Sequence, residues 1–320
     1  MLGPGKEFDL IRSIWTRLGG RLTSEAGDDC AFVSLGGTPV AITSDIAVEG
    51  THFRLGWLTH YEVGWRAAAG ALSDLAAVAA IPAGVMVSVG SPEEWPDAFV
   101  VELMDGVGDA AGAVGAKVWG GDLVRSEKCV VDVVCVGMGE RESGRAGGFV
   151  RRSGAEAGDT LWVTGRLGGP KVALDALYAG REPEASARER LVHPMPRIQE
   201  ALWLHEHGAK AMIDISDGLA DDAGHLAAAS GVKLVIDADA VPAHRSVPPA
   251  LPSSRSPVLI SGEEYEILVA LPSTFDAHQA FESRFAIPLT RIGTVDRGAG
   301  VTLTRAGEPM PLPQGYRHFS

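Results

Sequence analysis

Short Val- and Ile-rich runs alternate with longer Ala-rich segments, and that alternation places the chain in the mixed α/β class, α/β or α+β. Its 320 residues exceed the roughly 250 to 300 at which a single core stops growing, so two domains are expected. A polar, glycine-rich and basic stretch, "ERESGRAGGFVRRSGAEAGD" (140–159), has the composition of a junction between them. It separates an N-terminal domain over 1–140 from a C-terminal domain over 150–320.

In chain order, "EFDLIRSIWTRL" (7–18) has apolar residues at helical spacing and predicts the first helix. "AGDDCAF" (26–32) leads into an apolar strand, and "PVAIT" (39–43) reads as the next one. "YEVGWRAAAGALSDLAAVAA" (61–80) and "DAFVVELMDGVGDAAGAVG" (97–115) are long Ala-rich helices that bracket the strand "AGVMVSVG" (83–90). "CVVDVVCVGMG" (129–139) closes the first half as a strand. In the second half, strands are expected at "TLWVTG" (160–165), "KLVIDA" (233–238) and "YEILVALP" (265–272), with helices at "PKVALDALYAG" (170–180), "PRIQEALWLHEHG" (196–208) and "GLADDAGHLAAAS" (218–230). The Pro/Ser-rich "VPAHRSVPPALPSSRSP" (241–257) reads as a surface loop.

A formal net charge of −13 argues against a general nucleic-acid binder, which needs a basic stripe to neutralise phosphates. No segment approaches the roughly 18 uninterrupted apolar residues of a membrane span, and the first residues lack the basic start and apolar run of a secretory signal, so a cytoplasmic protein is expected. Three cysteines, Cys30, Cys129 and Cys135, suit neither a disulfide framework nor a zinc site and read as small core residues.

The acids are the feature that needs explaining. "MIDISDGLADD" (212–222) holds four carboxylates and no Lys or Arg. Small residue followed by aspartate recurs at Gly27-Asp28-Asp29, Ser44-Asp45, Ser73-Asp74, Gly121-Asp122 and Ser216-Asp217. Taken singly, Asp45 and Asp217 read as helix N-caps, and Gly-Gly-Asp at 120–122 reads as a turn where a strand ends. Asp28 and Asp29 point to opposite faces if the chain is extended, so one of them at most faces a shared site. Asp221 and Asp222 fall in the first turns of a helix, where the dipole alone favours them. Asp74 fits none of these roles, because the helix around it is apolar and offers no cation, and an unpaired buried carboxylate costs several kcal/mol. Acids at strand ends, where α/β folds build their ligand crevices, match a magnesium inventory, and magnesium would also bridge an acidic pocket to an anionic nucleotide. The chain has no GxxxxGK[ST] loop, no protein-kinase signature and no Gly-x-Ser-x-Gly elbow; "GVGDAA" lies inside a helical pattern, and His205 and His207 fall on different helix faces.

Taken in order, "EFDLI", "GDDCAFV", "TSDIAVEGTHF", "ALSDLAAVAA", "GGD", "RRSGAEAGDTLWVTG", "HPMPRIQEA", "DISDGLADDAGHLA", "SGEEYEI" and "GYRHF" resemble the thiamine-monophosphate kinase family, whose superfamily includes aminoimidazole ribonucleotide and selenophosphate synthetases. The resemblance implies a two-domain synthetase-like fold, an N-terminal mixed sheet used in homodimerisation, a C-terminal α/β domain, and ATP bound between them. It implies transfer of the γ-phosphoryl of ATP to thiamine monophosphate. Several Mg2+ ions would be held by Asp29, Thr43, Ser44, Asp45, Asp74, Asp122, Asp214 and Asp217. ATP would meet Gly121, Asp122, Arg152 and Ser216; thiamine monophosphate would meet His52, Glu263 and Tyr316; and Arg152 and Arg125 would add positive charge. No covalent enzyme intermediate is implied, because phosphoryl transfer is positioning and charge neutralisation.

The chain departs from the family pattern at Ala71 (commonly Asn), Val78-Ala79 (Met-Gly), Leu123-Val124 (threonines), Ser261 (Gly) and Glu264 (Asp). Another member of the superfamily acting on a different acceptor and a non-catalytic nucleotide-binding homologue are the competing readings. Cys30 lies in an acid motif, unlike the reactive cysteine of a selenophosphate synthetase, and the retained acids weigh against a mere binder.

Overall fold

A computed structural model describes residues 6–21, 27–139, 148–248 and 256–313. After helix α1 (Lys6–Leu18) and one 3-10 turn, the chain builds a five-stranded sheet from β1 (Ala31–Leu35), β2 (Thr38–Val48), β3 (Ile81–Ser91), β4 (Lys117–Arg125) and β5 (Val130–Met138), in the order β1-β2-β5-β3-β4. Only the β3–β4 pair is parallel. Helices α2 (His60–Ala77) and α3 (Asp97–Ala113) connect these strands. Strict alternation in β5 buries Val131, Val133 and Cys135, the period-2 signature of a sheet covered on one face. Helices α2 and α3 meet through glycine: a Cβ on Gly64 would lie 1.9 Å from the Leu103 carbonyl oxygen, and one on Gly106 would lie 2.0 Å from that of Tyr61. The opposite sheet face exposes Ile46, Met86, Trp119 and Val124, each about half accessible.

The second sheet contains β6 (Thr160–Thr164), β7 (Ala211–Asp214), β8 (Lys233–Asp237), β9 (Ile267–Leu271), β10 (Leu289–Asp296), β11 (Gly300–Arg305) and β12 (Glu308–Met310), ordered β12-β11-β8-β10-β6-β9-β7. Around it lie α4 (Gly169–Tyr178), α5 (Ala185–Val192), α6 (Ile198–Glu206), α7 (Leu219–Ser230), α8 (Pro257–Ile260) and α9 (His278–Phe285). Strands β6, β7 and β9 are buried at every residue, so they read as unbroken apolar runs.

Helix α2 joins the two halves. It packs on β2 and β5 from one side and on α6 and β7 from the other. The Trp65 indole donates to the Pro194 carbonyl at 2.9 Å, Glu62 accepts from Arg188 at 2.6 and 3.0 Å, and the Ser73 hydroxyl donates to Asp214 at 2.6 Å. One apolar cluster accordingly runs from Leu72 and Leu75 through Trp203 and Met212 to Phe281.

The structure differs from the sequence-based expectation at two places. Gly120-Gly121-Asp122 is not a turn at a strand end; it lies inside β4, where parallel pairing with β3 continues past a bulge at Val85/Met86 and Gly121 packs against the Val87 carbonyl. Strands β10 to β12 and helix α5 carry too few apolar residues to have been read. The Pro/Ser-rich loop is described only over 241–248 and from 256. The three cysteines are free and buried, and among the described residues no helix is long and apolar enough to cross a membrane.

Candidate active site

The site forms where α2, β2 and the end of β7 meet. Asp74 sits one turn before the end of α2, and its carboxylate accepts a 2.5 Å hydrogen bond from the Thr43 hydroxyl on β2. Ser73 reaches in the other direction to Asp214, the last residue of β7. Asp29, from the bend before β1, brings a third carboxylate: oxygens of Asp29, Asp74 and Asp214 all lie within 4.8 Å of one another. Burial, then the neighbouring charges of Asp214 and Asp29, push the Asp74 carboxyl well above the ordinary range. Burial, followed by Asp29, raises Asp214 to about 7.

Arg152 is the cation beside this group. Its guanidinium grips Asp29 through two bonds of 2.9 and 2.5 Å, while its backbone N–H donates to Asp28 at 3.2 and 3.3 Å. Asp28 is itself raised to about 6, by burial first and then by Asp29. Both acids of the pair therefore meet Arg152, one through the side chain and one through the main chain, because residues 27–30 bend instead of running extended. Asp29 alone of the two joins Asp74 and Asp214, in line with the expectation that at most one of them faces a shared site.

Neither Asp45 nor Asp217 is a helix cap. Asp45 is internal to β2, which runs to Val48, and the N-cap of α7 is Gly218 with no side-chain cap bond. Asp222 organises that loop: it is 2% exposed and accepts from the N–H groups of Ser216, Asp217 and Gly218 at 3.0 to 3.1 Å. Reading Asp222 as a helix-start acid favoured by the dipole alone missed this; the signal was four acids around a Ser-Asp-Gly turn with no cation among them. A second acid group, Asp217, Asp222 and His225, adjoins the first, and burial lowers His225 to about 4.

A cavity of about 530 Å3 opens onto these residues. Ser44, Asp45, His52, Asp74, Asp214, Ser216, Asp217 and Glu263 all border it, so eight of the expected site residues surround one space. Ser44 nevertheless donates its hydroxyl to Asp132 at 2.9 Å on the other side of the sheet. His52 accepts the Val48 N–H at its Nδ1, at 3.0 Å. Glu263 pairs with Arg66, a buried arginine that also donates to the Leu191 carbonyl. The Glu263 and Tyr265 backbones have φ of +54° and +52°, and their N–H groups are clamped to the Ser216 and Ile215 carbonyls at 2.7 and 2.9 Å. Left-handed backbone at a residue other than glycine costs about 1 kcal/mol or more, so the clamp holds Glu263 in place against strain. Arg66 was not found from the sequence, and Ser73 and Asp28 were noted only as neighbours of Asp74 and Asp29, because their partners Glu263, Asp214 and Arg152 are brought to them only by the fold.

Of the other expected residues, Asp29, Thr43 and Arg152 adjoin the acids that border the cavity, and three lie elsewhere. Asp122 and Gly121 lie on β4, three strands from β2, and Asp122 shares a row with Ser88, Asp132 and Ile46 on the face opposite Asp45. Arg125 is largely exposed and paired with Glu93 at 2.8 Å. Tyr316 lies outside the described residues.

The departures at Ser261 and Glu264 have structural work. Ser261 Oγ accepts the Lys171 N–H at 3.2 Å and Glu264 accepts the Gly168 N–H at 2.5 Å, so both anchor the start of α4 to the loop that carries Glu263.

Residues 27–139 match the AIR synthase related protein, N-terminal domain, and residues 156–305 match the AIR synthase related protein, C-terminal domain. The thiamine-monophosphate kinase of Mycobacterium tuberculosis is 39% identical over 76% of this chain and 73% of its own length. That of Aquifex aeolicus is 32% identical over 98% of both chains. The solved structure of AaThiL complexed with AMPPCP and TMP superposes with a TM-score of 0.83 at 31% identity, covering 98% of this chain and 97% of that one. Hydrogenase maturation protein HypE in complex with ATP, at 17% identity and a TM-score of 0.70, shares the fold. With similarity spread over nearly the whole chain, this protein belongs to the thiamine-monophosphate kinase family.

Proposed function

We propose that this protein transfers the γ-phosphoryl group of ATP to the phosphate of thiamine monophosphate, forming thiamine diphosphate and ADP. The observation that carries the reading is a cavity lined by carboxylates and by cationic side chains, with room for an organic phosphate. The acceptor is a phosphate oxygen that is already ionised at neutral pH, so no general base is required of the protein. Arg54, Arg66 and Lys171 border the cavity and supply fixed positive charge toward the two anions. Glu263 and His52 orient the acceptor, and Ser216 with Arg152 orients the nucleotide, which brings the two phosphates in line.

Magnesium fits the residues present. Asp29, Asp74 and Asp214 form an all-oxygen donor set whose negative charge exceeds the positive charge of its one arginine; burial, then Asp214 and Asp29, raises Asp74, and burial, then Asp29, raises Asp214. Those three, with Thr43, Ser44, Asp45 and Asp217 around them, would hold several ions. Bound there, magnesium would neutralise the transferring phosphates and the leaving diphosphate. The protein's own part is to hold these carboxylates fixed and close together, and a bound cation would favour their ionised forms.

The reading extends to two domains, 1–140 and 150–320, and to a homodimer. The half-exposed apolar face of Ile46, Met86, Trp119 and Val124 supports a second copy as its cover, and Asp122 lies on that same face. In that arrangement Asp122 and Gly121 would serve the partner's nucleotide, their own cavity being on the other side of the sheet.

The test is direct. Purified protein incubated with ATP, magnesium and thiamine monophosphate is expected to yield thiamine diphosphate and ADP in equal amounts by chromatography. Intact ATP binding without thiamine diphosphate would rule the activity out.

A further inference from the structure

The cavity is lined by two kinds of surface. Besides the acids of α2, β2 and the β7 end, it is bordered by Trp57 and, from α4, by Leu174 and Tyr178. The Trp57 and Tyr178 rings meet edge to face, with centroids 4.8 Å apart and planes at 82°. The Arg54 guanidinium carbon lies 4.6 Å from the Trp57 centroid and 5.2 Å from that of Tyr178, so this corner already accommodates a flat cation. A core role does not account for Tyr178, which is 65% exposed at the last residue of α4. Helix α4 is nonetheless held firmly at its other end by the Ser261 and Glu264 contacts, so the tyrosine is presented from a fixed support.

Thiamine monophosphate carries a thiazolium ring with a permanent positive charge, two carbons from the phosphate ester oxygen. A phosphate directed at the acids therefore leaves the ring further out, toward the apolar surface. We propose that the Trp57–Tyr178 corner is the subsite for the cationic thiazolium ring of the acceptor, which takes the place of Arg54 over the two rings and sets specificity for the cation. This rests on the kinase reading above. Adenine can stack on such rings but brings no positive charge to their electron-rich faces, whereas the thiazolium ring gains from both, which favours the acceptor over the nucleotide as occupant.

The test uses the full chain with Trp57→Leu and Tyr178→Leu; the second, at an exposed position, removes an aromatic ring without opening the core. KM is measured for thiamine monophosphate and for ATP, together with the inhibition constant of the phosphate ester of 4-methyl-5-(2-hydroxyethyl)thiazole, which has the neutral ring. Each variant is expected to raise KM for thiamine monophosphate about tenfold, the scale of a cation–π contact plus lost ring packing. KM for ATP and kcat should stay within about threefold, and the neutral ester should bind within about twofold of wild type. Equal losses for the cationic and neutral compounds would reduce the corner to simple packing and overturn the proposal. So would an unchanged KM for thiamine monophosphate, or a rise in KM for ATP in its place. Wild-type protein that forms no thiamine diphosphate sinks the kinase reading and this proposal together, whereas active wild type with unaffected variants sinks this one alone.

Discussion

Two groups of buried charge, one around Asp74 and one around Glu266, are built differently. Around Asp74, the carboxylates of Asp28, Asp29 and Asp214 share one arginine, Arg152. Around Glu266, three glutamates share two arginines: Arg197 donates to Glu266 at 2.8 and 2.6 Å and to Glu200 at 3.5 Å, and Arg190 reaches Glu266 at 3.0 Å and Glu264 at 3.4 Å. Despite burial, the arginines hold Glu266 down to about 2, although burial still raises its neighbour Glu264 to about 7. Asp74 and Asp214, buried among further carboxylates, are both pushed upward. The more nearly balanced network, with two arginines, holds β9 to α5 and α6; the unbalanced one, with a single arginine, is poised for a cation from outside.

The largest expected effect breaks the unbalanced group. Asp74→Asn keeps the shape and the Thr43 contact but removes the charge, and kcat/KM should fall by roughly a thousandfold, about 4 kcal/mol of transition-state stabilisation. Thermal stability should be equal or higher, because a repelling buried charge is gone. Activity near wild type would return Asp74 to a structural role.

Much of this contrast was legible before the fold was known. Asp74 stood out because "ALSDLAAVAA" gives an acid no local partner, and the distribution of acids at strand ends placed Asp29, Asp45, Asp214 and Asp217 near one another. Helices and central strands were readable wherever one periodicity dominated, as in α2 and β5. Asp122 was not placed, because Gly-Gly-Asp is a turn in most sequences and becomes strand only through pairing with β3. The Glu266 network was invisible for a related reason: Arg190, Arg197 and Glu266 come from three elements and acquire meaning only when α5, α6 and β9 pack.

The more nearly balanced group gives the second effect. Glu266→Gln leaves Arg190 and Arg197 without their shared counter-charge, and the destabilisation should reach about 3 kcal/mol in urea unfolding. Turnover per folded molecule should be unchanged, the reverse of Asp74→Asn. Lost turnover with normal stability would erase the distinction between the two groups.

Opposite pH slopes provide the third. Glu266 sits near 2 in the folded protein against an ordinary 4.5, so its contribution is full above 4.5 and is lost as pH falls toward 2. Asp214 sits near 7 against an ordinary 3.8; with chelator present its stability is full below 3.8 and is lost as pH rises toward 7. Thermal melts in chelator should therefore pass through a maximum in mildly acidic buffer, and millimolar magnesium should raise Tm selectively at neutral pH, through binding to the folded state alone. Magnesium that raised Tm equally at pH 4.5 and pH 7.5 would disconnect the ion from these carboxylates.

The smallest effect separates stability from chemistry on the helix that carries Asp74. Helix α2 ends with Ala79 at φ +53°, its N–H bonded to the Ala76 carbonyl at 2.9 Å and that of Ala80 to Leu75 at 2.9 Å. This is the left-handed helix-stop position where glycine is favoured, and it is one of the places where the chain departs from the family's Met-Gly. Ala79→Gly relieves the side-chain clash while giving the unfolded chain more freedom, so the net gain should be about 0.5 kcal/mol, a rise in Tm of a degree or two. The Ala79 methyl is buried, so a loss in place of a gain would mean that its packing outweighs the strain. Activity should not change, because Asp74 lies more than a turn earlier and is fixed by Thr43; a changed KM for magnesium would instead show that the acid cluster depends on the strained end of α2 for its geometry.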